Sequence, residues 1–158
     1  MEIERKFLVG ERPLDLASAP SAHLRQGYLL IAPEGSARLR DADGARTLTV
    51  KSGSGLVRSE HEIAITRDQF EALWPATKGR RLEKRRYQLP AEELTFEIDV
   101  FEGDLGGLEL VEVEFETETD AAAFIPPPWF GTEVTDDPAY TNASLSARGL
   151  PDGGQATL

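Results

Sequence analysis

Full charges fall at every second position along most of the strand-like stretches of this chain, and each stretch carries mostly one sign. The opening MEIERKFLV sets Glu2, Glu4 and Lys6 on one parity, with Ile3 and Phe7 on the other. Side chains two apart on a strand point the same way and lie roughly 6.6 Å apart. At an effective dielectric of about 20, two carboxylates at that distance repel by about 2.5 kcal/mol. A fold that accepts this pattern must offer the carboxylates something to balance them.

The same alternation recurs between turn signals. Strands are expected at 2–9, 24–31, 36–41, 46–51, 57–65, 81–89, 94–101 and 109–117, with DADG, SGSG and GDLGG as turns. In TRDQFEALWPAT, Asp68 near an N-cap and Phe70, Leu73 and Trp74 on one face predict a short helix crossing the sheet. Two more short helices are expected near DAAAF and between Pro138 and Arg148. The chain reads as one domain over residues 1–148, with 149–158 a frayed, disordered tail.

Sorting the strands by parity gathers one set of charges. The basic members are Lys6, Arg38, Arg40, Lys51, Arg58, Lys84 and Arg86; the acidic members are Glu2, Glu4, Glu60, Glu62, Glu97, Asp99, Glu112 and Glu114. The opposite parity carries Ile3, Phe7, Leu39, Leu48, Val50, Ile63, Phe96, Ile98, Val100, Val111, Val113 and Phe115, which read as core. A solvated strand face explains any single ExE or RxR pair. It does not explain why nearly all of these positions are full charges, where a solvated face mixes in Thr, Ser and Gln.

Eight antiparallel strands normally curl or close, which gives the residues an inside and an outside. The expected fold is α+β dominated by β: an eight-stranded antiparallel barrel, or tunnel, with a charged interior and a few short helices packed outside. Phe70, Leu73 and Trp74, with Trp129, Phe130 and Leu145 of the C-terminal segment, are expected to cover the apolar exterior. A lumen lined by clustered carboxylates and clustered cations is costly when empty; a polyanion bridged to the acids by divalent cations balances both sets.

Composition narrows the chemistry. There is no cysteine, which excludes disulfides, thiolate metal sites and cysteine nucleophiles. His23 and His61 have no ligand-like spacing, so oxygen-bound hard cations, Mg²⁺ or Mn²⁺, are expected rather than zinc. His61 falls on the outward parity and reads as a packing residue, and His23 as a surface residue. The net charge of −11 opposes nucleic acid and anionic membrane as partners. Charges at residues 2, 4, 5 and 6 do not fit a signal peptide, no apolar run approaches a membrane span, and a cytoplasmic location is expected.

Taken in order, ExExK (Glu2, Glu4, Lys6), QGYL (Gln26–Leu29), RLR (Arg38–Arg40), TVK (Thr49–Lys51), RSEHE (Arg58–Glu62), KRRY (Lys84–Tyr87), FEIDVFEGDLGGLELVEVEF (Phe96–Phe115) and PPWFGTEVTDDPAYTNASL resemble the CYTH family, the triphosphate tunnel metalloenzymes, in its short bacterial form. The resemblance spans about residues 1–145. It implies an eight-stranded tunnel that binds a triphosphate with Mg²⁺ or Mn²⁺. By that likeness Glu2, Glu4, Glu112 and Glu114 hold metal, and Lys6, Arg38, Arg40, Lys51, Arg58, Lys84 and Arg86 grip phosphate. Glu60, Glu62 and Asp99 are candidates, unranked, for a second metal, for positioning water or for the base. Tyr28 is either a substrate contact or a buried barrel tyrosine. The family often has a basic residue just before the position of Tyr140, where this chain has Ala139, and Tyr140 and Asn142 are read as fastening the closing helix.

The implied activity is metal-dependent hydrolysis of a triphosphate, first of inorganic triphosphate to pyrophosphate and phosphate. The alternatives are thiamine triphosphate hydrolysis, cyclisation of ATP as in a class IV adenylate cyclase, or polyphosphate binding without turnover. The partner is a small-molecule triphosphate, and the assembly a monomer or homodimer.

Overall fold

In a computed structural model, residues 3–54 and 57–151 are described; the side chains of residues 53, 54, 57 and 58 are not, so Glu2 and the Arg58 side chain lie outside the described residues, as does the tail from 152. The eight expected strands are all present: β1 (Ile3–Val9), β2 (Ser21–Ala32), β3 (Gly35–Ala42), β4 (Ala45–Ser54), β5 (Val57–Ala64), β6 (Arg81–Ala91), β7 (Leu94–Glu102) and β8 (Glu109–Phe115). A ninth, β9 (Phe130–Glu133), pairs antiparallel with β1 and was not expected. The sheet runs β5-β4-β3-β2-β6-β7-β8-β1-β9, with every pairing antiparallel. Among the described residues hydrogen bonds do not close it, and β5 and β9 are its two edges.

Local chemistry sets the connections. Asp43 and Gly44, both at positive φ (50° and 94°), make the two-residue hairpin between β3 and β4, a backbone that an Asp-Gly pair adopts at low cost. Helix α1 (Arg67–Leu73) starts at Thr66, whose side chain accepts from the Gln69 amide while the Gln69 side chain accepts from the Thr66 amide. Asp68 sits in its first turn. Pro75 then diverts the chain into a 3₁₀ turn at Trp74–Thr77. Helix α2 (Glu118–Ala123) is capped by Thr117, and α3 (Asn142–Arg148) by Thr141.

The outer face carries a core of Phe7, Phe96, Ile98, Val111, Val113 and Phe115, covered by Ala121 of α2, Phe124, Trp129 and Phe130. Further along the same face α1 buries Phe70 completely, stacked on Trp74 with centroids 5.0 Å apart. This cover stops short of the β5 edge. Val50 and Ile63, expected in the core, are 40% and 57% exposed, and Leu73 also faces solvent. The reason is geometric: a helix of 7 residues reaches over β2 to β4 and no further.

Leu145 does not join the outer cover. It packs with Leu82, Phe101, Leu110 and Tyr140, and Leu8 flanks them. On β1, β6, β7 and β8 those apolar residues share the parity of Lys6, Lys84, Asp99 and Glu112, so α3 lies against the charged face and stops one end of it. Ala139 and Leu150 pack partly buried on the same cluster.

Candidate functional site

The registers bring the inner-face charges together. Glu4 lies opposite Glu114, Lys6 opposite Glu112, and Glu112 opposite Glu97. Arg86 faces Asp99, Arg38 faces Tyr28 and Thr49, and Arg40 faces Gln26. Lys51 lies opposite Glu60 and Thr49 opposite Glu62. Lys51 and Glu60 are exposed towards the β5 edge, whereas Lys84 and Gln26 are 0% exposed.

The deepest part is a charge cluster on β6 and β7. Asp99 accepts from Arg86 through both oxygens, at 2.8 and 2.9 Å, and pairs with Lys84 Nζ at 2.8 Å. Burial alone would raise the Asp99 carboxyl, but Lys84 and Arg86 outweigh it and hold the group well below the usual carboxylate range. Burial pushes Lys84 down to about 8, with Asp99 opposing that and Arg86 adding to it. Arg86 is lowered by burial and raised further by Asp99, so it stays charged at any working pH. Lys84 Nζ also donates to Asn142 Oδ1 at 3.1 Å, and Lys6 Nζ to the Tyr140 carbonyl at 3.1 Å. Both contacts tie the C-terminal segment to site cations, which is the fastening role expected of Tyr140 and Asn142.

The β3 arm is basic. Arg40 is brought down to about 10, first by burial and then by Arg38 and Arg86, with Glu62 and Asp99 opposing. Tyr28 is 5% exposed and its hydroxyl is pushed up by burial, with Arg38 and Arg40 opposing. Arg38 Nη2 donates to Thr49 Oγ1 at 3.3 Å, and Thr49 Oγ1 donates to Glu62 Oε1 at 2.7 Å. Lys6 pairs with Glu112 at 3.6 Å, bridging basic and acidic arms.

The acidic arm opens into a cleft of about 1050 Å³ lined by Glu4, Gln88, Glu97, Glu112 and Glu114. Like charges directly opposite on one face are destabilising, and here two such pairs stand side by side, Glu4 with Glu114 and Glu97 with Glu112. The donors are all oxygen. That donor type suits a hard divalent cation, but the described side chains whose ligand atoms converge within 4.8 Å of one another are a different set.

A second group lies on the other face of the sheet. Strand pairing brings His23 Nε2 within 3.1 Å of Glu83 Oε2 and 3.2 Å of Glu102 Oε1, a set that could hold a metal ion. These residues are 60 and 79 apart in sequence, which is why spacing gave no sign of them. His61, read as packing, is exposed on β5.

Gln26 and Thr49 were not singled out individually in the sequence, although both share the inner parity of Tyr28 and Arg38. A polar residue that carries no charge leaves no mark in a pattern of alternating charges.

An antiparallel sheet that opposes cations to carboxylates on one face and carries its main hydrophobic core on the other has the architecture of a protein suited to a polyanion. The chain belongs to the CYTH domain family, whose profile matches residues 1–133. It is 54% identical over 149 residues to the inorganic triphosphatase of Nitrosomonas europaea, covering 92% of this chain and 96% of that protein. It is 38% identical over 147 residues to the inorganic triphosphatase of Acetivibrio thermocellus, covering 91% and 92%. The crystal structure of the inorganic triphosphatase NE1496 superposes with a TM-score of 0.77 at 47% identity, covering 96% of this chain and 97% of that one. No helix among the described residues is long and apolar enough to cross a membrane.

Proposed function

We propose that this chain is a hydrolase that cleaves inorganic triphosphate to pyrophosphate and phosphate, using Mg²⁺ or Mn²⁺, in the cytoplasm. The observation that carries the reading is the inner face itself, where buried cations on β3 and β6 confront opposed carboxylates on β1, β7 and β8. The likeness to two inorganic triphosphatases along nearly the whole chain supports the choice of substrate.

Arg38, Arg40 and Arg86 offer forked donors to phosphoryl oxygens, and Lys6, Lys51 and Lys84 offer point charges, with Arg58 assigned to the same set from its strand position. Glu4, Glu112 and Glu114, with Glu2, would hold the divalent ion, which when bound neutralises charge on the phosphoryl oxygens. Water adds to the terminal phosphorus, the bridging P–O bond breaks, and pyrophosphate leaves while the preorganised cations stabilise the charge that develops. The water's proton needs a carboxylate that can accept it. Asp99 is a poor acceptor because Lys84 and Arg86 hold it ionised; its role is to position those two cations. Glu62, bonded to Thr49, and Glu60 remain for the proton or for orienting the water. Tyr28, packed against Arg38 and Arg40, borders the substrate.

The test is a panel of tripolyphosphate, ATP and thiamine triphosphate with Mg²⁺, with Mn²⁺ and with chelator, assayed for phosphate, pyrophosphate and cyclic AMP. Metal-dependent release of phosphate and pyrophosphate from tripolyphosphate in preference to the others is expected. Cyclic AMP from ATP as the main product, or no turnover, would overturn the reading.

A pH dependence follows from Lys84. Burial leaves its ammonium losing a proton near 8 rather than near its ordinary 10.5. A group with a lowered pKa is charged only below that value, so kcat/KM for tripolyphosphate should fall as pH rises through about 8. Lys84→Arg stays protonated there and should move the alkaline limb upward, which a pH–rate profile reads directly.

A further inference from the structure

Gln26 sits on the inner face of β2, opposite Arg40 of β3 on one side and Leu82 of β6 on the other, and is 0% exposed. Its Oε1 accepts from Arg40 Nε at 3.0 Å. That bond sets the sense of the amide, because only the oxygen end can accept from a guanidinium. The Nε2 end, with two N–H groups, has no hydrogen-bond partner among the described residues.

Two more buried polar atoms near Arg40 share this condition. Arg38 Nε, two residues along β3, has no partner among the described residues, and neither does Thr47 Oγ1, directly opposite Arg40 on β4. A buried donor without a partner costs about 1–3 kcal/mol. Three such atoms at adjoining inner-face positions of β2, β3 and β4, each able to donate, suit a ligand rich in acceptors and poor in donors. A fully ionised phosphate chain is that kind of ligand.

We propose that Gln26 is a substrate-binding and positioning residue. Its Oε1 holds Arg40 by Nε, so that the two terminal nitrogens of the guanidinium are presented to the triphosphate, and its Nε2 donates to a phosphoryl oxygen beside them. This rests on the triphosphatase reading. The neutrality of the side chain matters: a carboxylate in the same place would hold Arg40 as well or better, but it would set a negative charge against the phosphate and lose the donor.

That difference makes the test. Tripolyphosphate binding to the full chain is measured by calorimetry in chelator, alongside steady-state kinetics and thermal melts, for the wild type, Gln26→Glu and Gln26→Met. Loss of a hydrogen bond to a charged group predicts dissociation constants and KM raised about tenfold or more in both variants, Gln26→Glu being at least as weak as Gln26→Met. If Gln26 only props up Arg40, Gln26→Glu binds like the wild type, and the proposal is overturned. Should Gln26→Glu fail to fold, Gln26→Met carries the decision: weakened binding at an unchanged melting temperature supports the proposal, and unchanged binding overturns it. A wild type that neither binds nor cleaves tripolyphosphate sinks the triphosphatase reading itself, which is a separate result.

Discussion

Glu114→Gln is expected to lower the kcat for tripolyphosphate by about 10²-fold or more, the loss of about 2.7 kcal/mol of transition-state stabilisation, while leaving the protein folded. The two halves of that expectation have one cause. Glu114 lies opposite Glu4 at the mouth of the acidic cleft, on the exposed end of β8. Exchanging one carboxylate for an amide removes a like-charge repulsion, so the melting temperature should hold or rise. The same exchange removes an anionic oxygen donor for a hard cation, so turnover and metal affinity should both fall. Glu112→Gln is a useful contrast, because Glu112 also pairs with Lys6, and its loss frees a cation as well as a ligand. An activity loss in Glu114→Gln with unchanged Mg²⁺ and Mn²⁺ dependence would remove Glu114 from the proposed metal set.

Asp99→Asn is expected to act on stability, by about 3–5 kcal/mol in a denaturant titration. Asp99 is 2% exposed and answers two cations at once, Lys84 and Arg86. The amide keeps the shape but leaves a buried ammonium and a guanidinium without their counter-charge. The pH dependence supplies an internal control. A carboxyl whose folded pKa is depressed contributes stability that is present above its unfolded value and is lost as pH falls through the folded one. The gap between wild type and Asp99→Asn should therefore be full near neutrality and narrow in acid, once the wild-type carboxyl also takes a proton. A variant as stable as the wild type at pH 7 would mean that Lys84 is neutral there, against the ion pair described above.

The inner parity was readable because full charges on a strand have no apolar explanation; Lys6, Arg40, Arg86, Asp99 and Glu112 could be placed on one face by counting in twos. The hairpin at Asp43–Gly44 is readable from its turn residues, and the helix after Thr66 from Asp68 and one apolar face, whereas the cap itself is Thr66, bonded reciprocally to Gln69, with Asp68 in the first turn. Other features depended on distant pairing. Phe130–Glu133 becomes a strand only because β1 offers it an edge. His23, Glu83 and Glu102 meet only through the pairing of β2, β6 and β7. Leu145 looked like exterior cover because hydrophobicity says that a side chain is buried and not on which side. Gln26 and Thr47 carry no signal in the sequence, because an uncharged polar residue on a strand stands out only through its burial and its missing partner.

The placement of α3 bears on how a phosphate chain can be handled. Leu145 and Tyr140 pack on Leu82, Phe101 and Leu110, with Leu8 beside them, so hydrocarbon occupies that end of the charged face. An anion lying along the face would find its cationic partners only short of this apolar stop, which shortens the stretch of sheet on which charge can be matched.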